Sequence, residues 1–150
     1  MVKYFLGRDK KYMSNKNIID IYYYTKTVNF GDALNESLFT KLFDILIHYE
    51  PISNCTYLGI GSILHHYFQQ KVALNNSIFS KKLVILGSGF YQEPVNLIFS
   101  SLTKIYPLIL RGNLTKILFK HFIETNEFAK MSVKHFEDTV LGDPGLLASY

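Results

Sequence analysis

The sequence is short of cysteine, of arginine and of long apolar runs, and each shortage closes off a class of function. With one cysteine, Cys55, an internal disulfide and a cysteine-based metal cluster are excluded, in keeping with a reducing compartment. Cys55 itself reads as a small buried hydrophobe near the start of a strand. Only two arginines, Arg8 and Arg111, stand among the 16 basic residues. An arginine at a site therefore carries weight, because its planar fork grips carboxylate or phosphate as lysine does not. No apolar run reaches the ~20 residues of a membrane span. Met1 to Leu6 give way to Arg8, Asp9 and Lys10 before a signal-peptide core forms. A cytoplasmic location is expected.

Several catalytic signatures are missing too. Gly59-Ile60-Gly61 and Gly87-Ser88-Gly89 lack the third glycine of the dinucleotide fingerprint, and there is no Walker-type Gly-Lys-Ser/Thr. No Ser-His-Asp, His-Glu-x-x-His or paired-cysteine arrangement stands out, so neither a metal site nor a cofactor is expected.

What is present describes one folded domain. The 150 residues are 48% hydrophobic and 19% charged, which is globular rather than disordered. The net charge of +4 is spread along the chain apart from Lys10-Lys11 and Lys81-Lys82, so no nucleic-acid stripe and no nucleic-acid partner are expected. Residues 1–17 are a polar, basic lead-in. From Ile18 onward the chain repeats one grammar: an apolar run, a turn with glycine and small polar residues, then a helix start. The turns are Asn29-Phe30-Gly31-Asp32-Ala33-Leu34-Asn35, Leu58-Gly59-Ile60-Gly61-Ser62, Leu86-Gly87-Ser88-Gly89-Phe90, Leu110-Arg111-Gly112-Asn113 and Leu141-Gly142-Asp143-Pro144-Gly145. That repeat predicts an α/β fold with a Rossmann-like parallel sheet and flanking helices, binding ligands beyond the carboxyl ends of its strands.

In order, the pattern predicts a strand over Ile18 to Tyr24 and a helix capped by Asp32. Leu34, Leu38, Leu42 and Leu46 form the core face of that helix, which runs on to His48-Tyr49-Glu50 ahead of Pro51. A strand follows over Tyr57 to Ile60, then a helix capped by Ser62 with His65 and His66 in its first turn. Leu83 to Leu86 is the clearest buried strand. Ile105 to Leu110 is another, with Pro107 placed at its start. Leu114, Ile117, Leu118 and Phe122 face one side of a helix, and Asp138 to Leu141 is the last strand. Gly145 to Tyr150 reads as the opening of a further helix, so the 18–150 domain is expected to be incomplete.

Glycine at such turns lets backbone approach an anion, and a helix start offers free N–H groups and a positive dipole end. Asp32 is a cap, or a carboxylate that orients a sugar hydroxyl or accepts its proton. His65 and His66 are exposed polar residues or proton-transfer groups. Arg111, directly after a strand, would point toward the ligand edge and is an anion-binding or a structural residue, and Asp143 is a turn former or a ligand contact.

Taken together and in this order, the five turns resemble those of the polysaccharide pyruvyl transferase family. Asn113 departs from the pattern, since proline often follows the family's Arg-Gly pair, but Asn suits a helix N-cap. The resemblance implies the amino-terminal domain of a GT-B-like, two-domain bacterial enzyme. Its reaction would transfer a pyruvyl group from phosphoenolpyruvate to two hydroxyls of a sugar, giving a cyclic ketal in exopolysaccharide or cell-envelope glycan biosynthesis. Phosphoenolpyruvate is then the donor substrate, and a sugar or lipid-linked oligosaccharide the acceptor, with peripheral membrane association and oligomerisation as further implied partners. By matching position, Arg111 would bind the anion, Asp32 would orient the sugar and His65 would do acid–base work. Asn29, Gly31, Asn35, Gly61, Ser62, Gly87, Ser88, Gly89 and Asp143 would line the substrate site. A second domain or a second copy would supply further basic residues. Two alternatives stand beside this: a GT-B-like glycosyltransferase using a nucleotide sugar, and a non-catalytic homologue that binds a glycan or a partner.

Overall fold

The computed structural model describes residues 17–26, 30–41, 44–73, 81–91, 97, 99–100 and 102–142. Among them, six parallel strands form one sheet in the order β2-β1-β3-β4-β5-β6. The strands are β1 (Ile18–Tyr22), β2 (Leu46–Tyr49), β3 (Tyr57–Leu58), β4 (Lys82–Ser88), β5 (Lys104–Leu110) and β6 (Val140–Leu141). The helices are α1 (Phe30–Lys41), α2 (Leu64–Ala73), α3 (Asn113–Thr125) and α4 (Glu127–Ser132). The expected α/β class and parallel sheet are therefore observed. The order 2-1-3-4-5 with a sixth strand added is one of the two common doubly wound arrangements, and it puts the switch point between β1 and β3.

Winding direction decides which face each helix covers. From β1 the chain steps outward to β2 through α1, whereas from β3 it steps the other way to β4, β5 and β6. Right-handed crossovers then place α1 on one face and α2 and α3 on the other. The packing agrees. Leu64, Tyr67 and Phe68 of α2, Leu118 and Phe119 of α3, and Ala129 of α4 share one core with Leu58, Leu83, Ile85, Ile105 and Leu110 of the sheet. Leu38 and Phe39 of α1 are buried outside that cluster. Edge-to-face and tilted contacts among Tyr67, Phe68, Phe99 and Phe122 fill the helix-side core.

Two expectations about elements need correction. The first helix does not run to residue 50: it ends at Lys41, and Leu46–Tyr49 is an edge strand paired with β1. Asp44 takes a left-handed conformation (φ 52°), and the Ile45 N–H bonds to the Phe39 carbonyl six residues back, at 3.0 Å. A left-handed residue just past the last turn, with the next N–H bonded back to the helix, stops the helix, and a short polar residue there takes the place of the usual glycine. Leucine periodicity continued across a stop that it could not register. The second correction concerns Pro107, which lies in the middle of β5 rather than at its start. It pairs with Ile85 where the β4–β5 register shifts, a bulge where a missing N–H is tolerated. The Pro107 carbonyl accepts from the Thr139 hydroxyl at 2.7 Å.

Candidate functional site

The sheet's hydrogen bonds continue past the strand ends and stitch the turns to one another. Gly89 N–H donates to the Gly61 carbonyl (2.9 Å), Arg111 N–H to Ser88 (3.1 Å) and Gly142 N–H to Leu110 (3.1 Å). Gly61 also forms a parallel bridge with Ser88. Four of the sequence's Gly-rich turns thus share one continuous carboxyl edge.

Within that edge the polar side chains go to two different destinations. Asn35 on α1 is fully buried. Its amide donates to the Ile60 carbonyl (3.0 Å), and its oxygen accepts from the Ile60 N–H (2.6 Å). A Cβ on Gly59 would run into the Asn35 side-chain oxygen, so glycine at 59 and asparagine at 35 require each other. Ser88 is also fully buried, and its hydroxyl donates to the Gly59 carbonyl. Gly87 lies inside β4 at a register irregularity rather than in the turn. Gly89 sits against Arg111 and Thr115, where a Cβ would come within 2.9 Å of the Arg111 carbonyl. Asn35, Ser88, Gly87 and Gly89, expected to touch substrate, hold the turns in shape.

The β5–α3 turn is different. Arg111 and Ser62 are both exposed, and Arg111 Nη1 lies 3.5 Å from Ser62 Oγ across the edge. The N-cap of α3 is Gly112 (φ 80°, ψ 157°), with no side-chain cap, so Asn113 is the first helical residue and not the cap that the sequence suggested. A side chain at 112 would meet open space but a disfavoured backbone conformation. Thr115 ties this helix start to the neighbouring turn: its hydroxyl donates to the Arg111 carbonyl (3.0 Å) and accepts from the Phe90 N–H (3.2 Å).

Ser62 is likewise not a cap. The helix α2 starts at Leu64, the Ile63 carbonyl accepts its first bond from Tyr67, and the Leu64 N–H donates to Gly89 at 3.3 Å. His65 and His66 occupy the first turn, as expected. His65 is buried with its ring 4.7 Å from that of Tyr91. His66 is half-buried and stacks on Tyr22 at the β1–β3 switch point, with ring centroids 6.0 Å apart. Its pKa is lowered, first by burial and then by the charge of Lys26. Lys26, Tyr22 and Tyr91 escaped the sequence reading, because only the strand order brings them to the mouth of this edge.

Asp32 is the third residue of α1 rather than its cap, and Gly31 the second. Asn29 and Asp143 lie outside the described residues. Cys55 is buried just ahead of β3, its thiol donating to the Ile52 carbonyl at 3.3 Å. Burial pushes its pKa up to about 12. Among the described residues no helix is long and apolar enough to cross a membrane. In comparisons with known proteins, no family model matches the chain, and neither a curated protein nor a solved structure does.

Proposed function

We propose that the carboxyl edge binds a small phosphorylated carboxylate and a sugar hydroxyl, and that the chain serves pyruvyl transfer from phosphoenolpyruvate. One observation carries this reading: Arg111, the lone arginine of the described residues, is exposed beside Ser62 at an uncapped helix start. A guanidinium, a hydroxyl and free N–H groups together suit a phosphate or carboxylate. The order of the five turns adds the family resemblance, which supplies the substrate class and the GT-B-like two-domain arrangement.

In this reaction the enolpyruvate methylene takes a proton and one sugar hydroxyl adds to the adjacent carbon. Phosphate leaves as the second hydroxyl closes the ketal, and both hydroxyl protons pass to a base or to phosphate. Arg111 holds the anion and balances charge on the departing phosphate. Of the two histidines, His66 is the one open to solvent, and its lowered pKa keeps it neutral and able to accept a hydroxyl proton. His65, packed under Tyr91, positions that helix turn.

The test is calorimetric titration with phosphoenolpyruvate, alongside a nucleotide sugar, for the native chain and Arg111→Ala. Phosphoenolpyruvate should bind saturably and lose about 10- to 100-fold in affinity in the variant, as befits one charged hydrogen-bonding group. No saturable binding, or binding indifferent to Arg111, overturns the reading. Preference for the nucleotide sugar moves it to glycosyl transfer.

A further inference from the structure

Away from the turns, the edge strand β2 and the residue after it bring His48 and Glu50 to Asp20, 28 positions before His48 in the sequence. His48 lies opposite Asp20 of β1 in the strand register. Its ring Nδ1 is 3.1 Å from Asp20 Oδ1 and 3.4 Å from Glu50 Oε1. All three ligand atoms lie within 4.8 Å of one another. The His48 and Asp20 side chains are 63% and 52% exposed, so water and ions reach them, and Glu50 is 24% exposed.

A ring nitrogen facing two carboxylate oxygens calls for positive charge between them. A proton on Nδ1 meets that demand only in part, since one N–H points well at one acceptor. A cation meets it for all three atoms. The separations also fit one: ligand atoms about 2.1 Å from a metal stand about 3.0 Å apart on an octahedron and about 3.4 Å apart on a tetrahedron. The two distances to His48 fall at these values. On binding, rotation of the exposed Asp20 carboxylate would close the third edge, which now lies within 4.8 Å. Two carboxylates and a neutral imidazole balance a divalent charge and leave a position for water.

We infer that Asp20, His48 and Glu50 form a binding site for a divalent cation of the zinc class. The imidazole selects borderline ions such as Zn2+, Co2+ and Ni2+ over Mg2+ and Ca2+, which prefer oxygen donors alone. Occupancy clips β2 to β1, the strand on the near side of the switch point. Glu50 is fixed to the same place by its own backbone, whose N–H donates to the Ile21 carbonyl at 3.0 Å. This inference stands apart from the proposed transfer reaction, which uses none of the three residues.

The experiment is calorimetric titration of the chain with Zn2+, with Co2+ absorption as a second readout. One equivalent should bind saturably. His48→Ala and Asp20→Asn should each weaken binding by more than about a hundredfold, beyond the roughly 10- to 100-fold that loss of an outer-shell contact costs. His121→Ala removes an exposed histidine of α3 outside the cluster and should leave affinity unchanged. Mg2+ at the same concentration should not compete. His48 and Asp20 are exposed, and circular dichroism checks that their variants fold. Absence of saturable Zn2+ binding would mean that the three groups share only a proton, and would overturn the proposal. Binding that survives His48→Ala, or falls equally with His121→Ala, also overturns it, since the ion would then sit on surface histidines at large.

Discussion

Two stretches of the carboxyl edge look alike in sequence and differ in what their polar atoms do. In the β3 and β4 turns, Asn35 and Ser88 are buried and bonded to the backbone of residues 59 and 60. In the β5–α3 turn, Arg111 and Ser62 face solvent beside a helix with no side-chain cap. Both read as Gly-rich turns after apolar runs. The first is a clamp and the second keeps its polar side chains at the surface, and burial of the neighbouring side chain separates them. A polar residue one turn into the packed helix is taken up by backbone that would otherwise be unpaired, whereas Arg111 and Ser62 at the strand tips stay exposed, 3.5 Å from one another.

The hardest blow to this contrast falls on the clamp. Asn35→Ala leaves the Ile60 N–H and carbonyl without the partner that joins α1 to the sheet. It should cost roughly 2–6 kcal/mol, from about 1–3 kcal/mol for each of the two buried groups stranded. Gly59→Ala drives a methyl group into the same asparagine and should cost a comparable amount. In an Asn35→Ala background, Gly59→Ala should cost clearly less, because the obstructing oxygen is gone. Urea unfolding of the four proteins measures this cycle. Additive losses would show that the two residues act independently, and the clamp would be the wrong description.

Arg111→Ala should do the opposite. Its effect on unfolding free energy should stay within about 0.5 kcal/mol, as for an exposed residue away from the core, while affinity for phosphoenolpyruvate falls. If stability drops by as much as for Asn35→Ala, Arg111 belongs to the scaffold and the two turns are alike after all.

The fold was legible because the strand-turn-helix junctions carried glycines, and because Leu83 to Leu86 and Ile105 to Leu110 read as strands. The stop in α1 was not legible. Leu46 and Ile47 extend the helical leucine pattern, and Asp44 gives no glycine to mark the left-handed residue that ends it. That error had a second consequence: with β2 taken as helix, Asp20 and His48, 28 positions apart, had no reason to meet, and the carboxylate–histidine cluster stayed hidden. The candidate site was half legible. Arg111 and Ser62 lie at the edge as the pattern implied, but a polar residue beside a glycine looks the same in sequence whether it clamps a backbone or stands exposed.

Cys55 reports on the clamped side. With its pKa at about 12 and its sulfur buried, the native thiol should react with a disulfide reagent at pH 8 about a thousandfold more slowly than an ordinary exposed cysteine. Asn35→Ala should speed labelling by loosening the turns beside β3, and Arg111→Ala should not. Equal labelling rates in all three proteins would mean that the clamp does not govern local opening there.

His66 offers the smallest and most local test. Burial, with the charge of Lys26, holds its folded-state pKa below the ordinary histidine value. As pH falls below about 6.5 the unfolded chain takes up this proton first. Stability is therefore lost from about pH 6.5 downward until the folded-state pKa is passed, and above that window the residue adds no pH dependence. His66→Gln should flatten this part of the stability–pH curve by a small amount, since the ring is only half-buried. The imidazole also distinguishes the two ends of the edge. Phosphate bound beside Lys26 would offset that charge and raise the His66 pKa, seen as a shifted NMR titration. Phosphate held at Arg111 alone would leave it unmoved, which would confine the anion site to the β5–α3 turn.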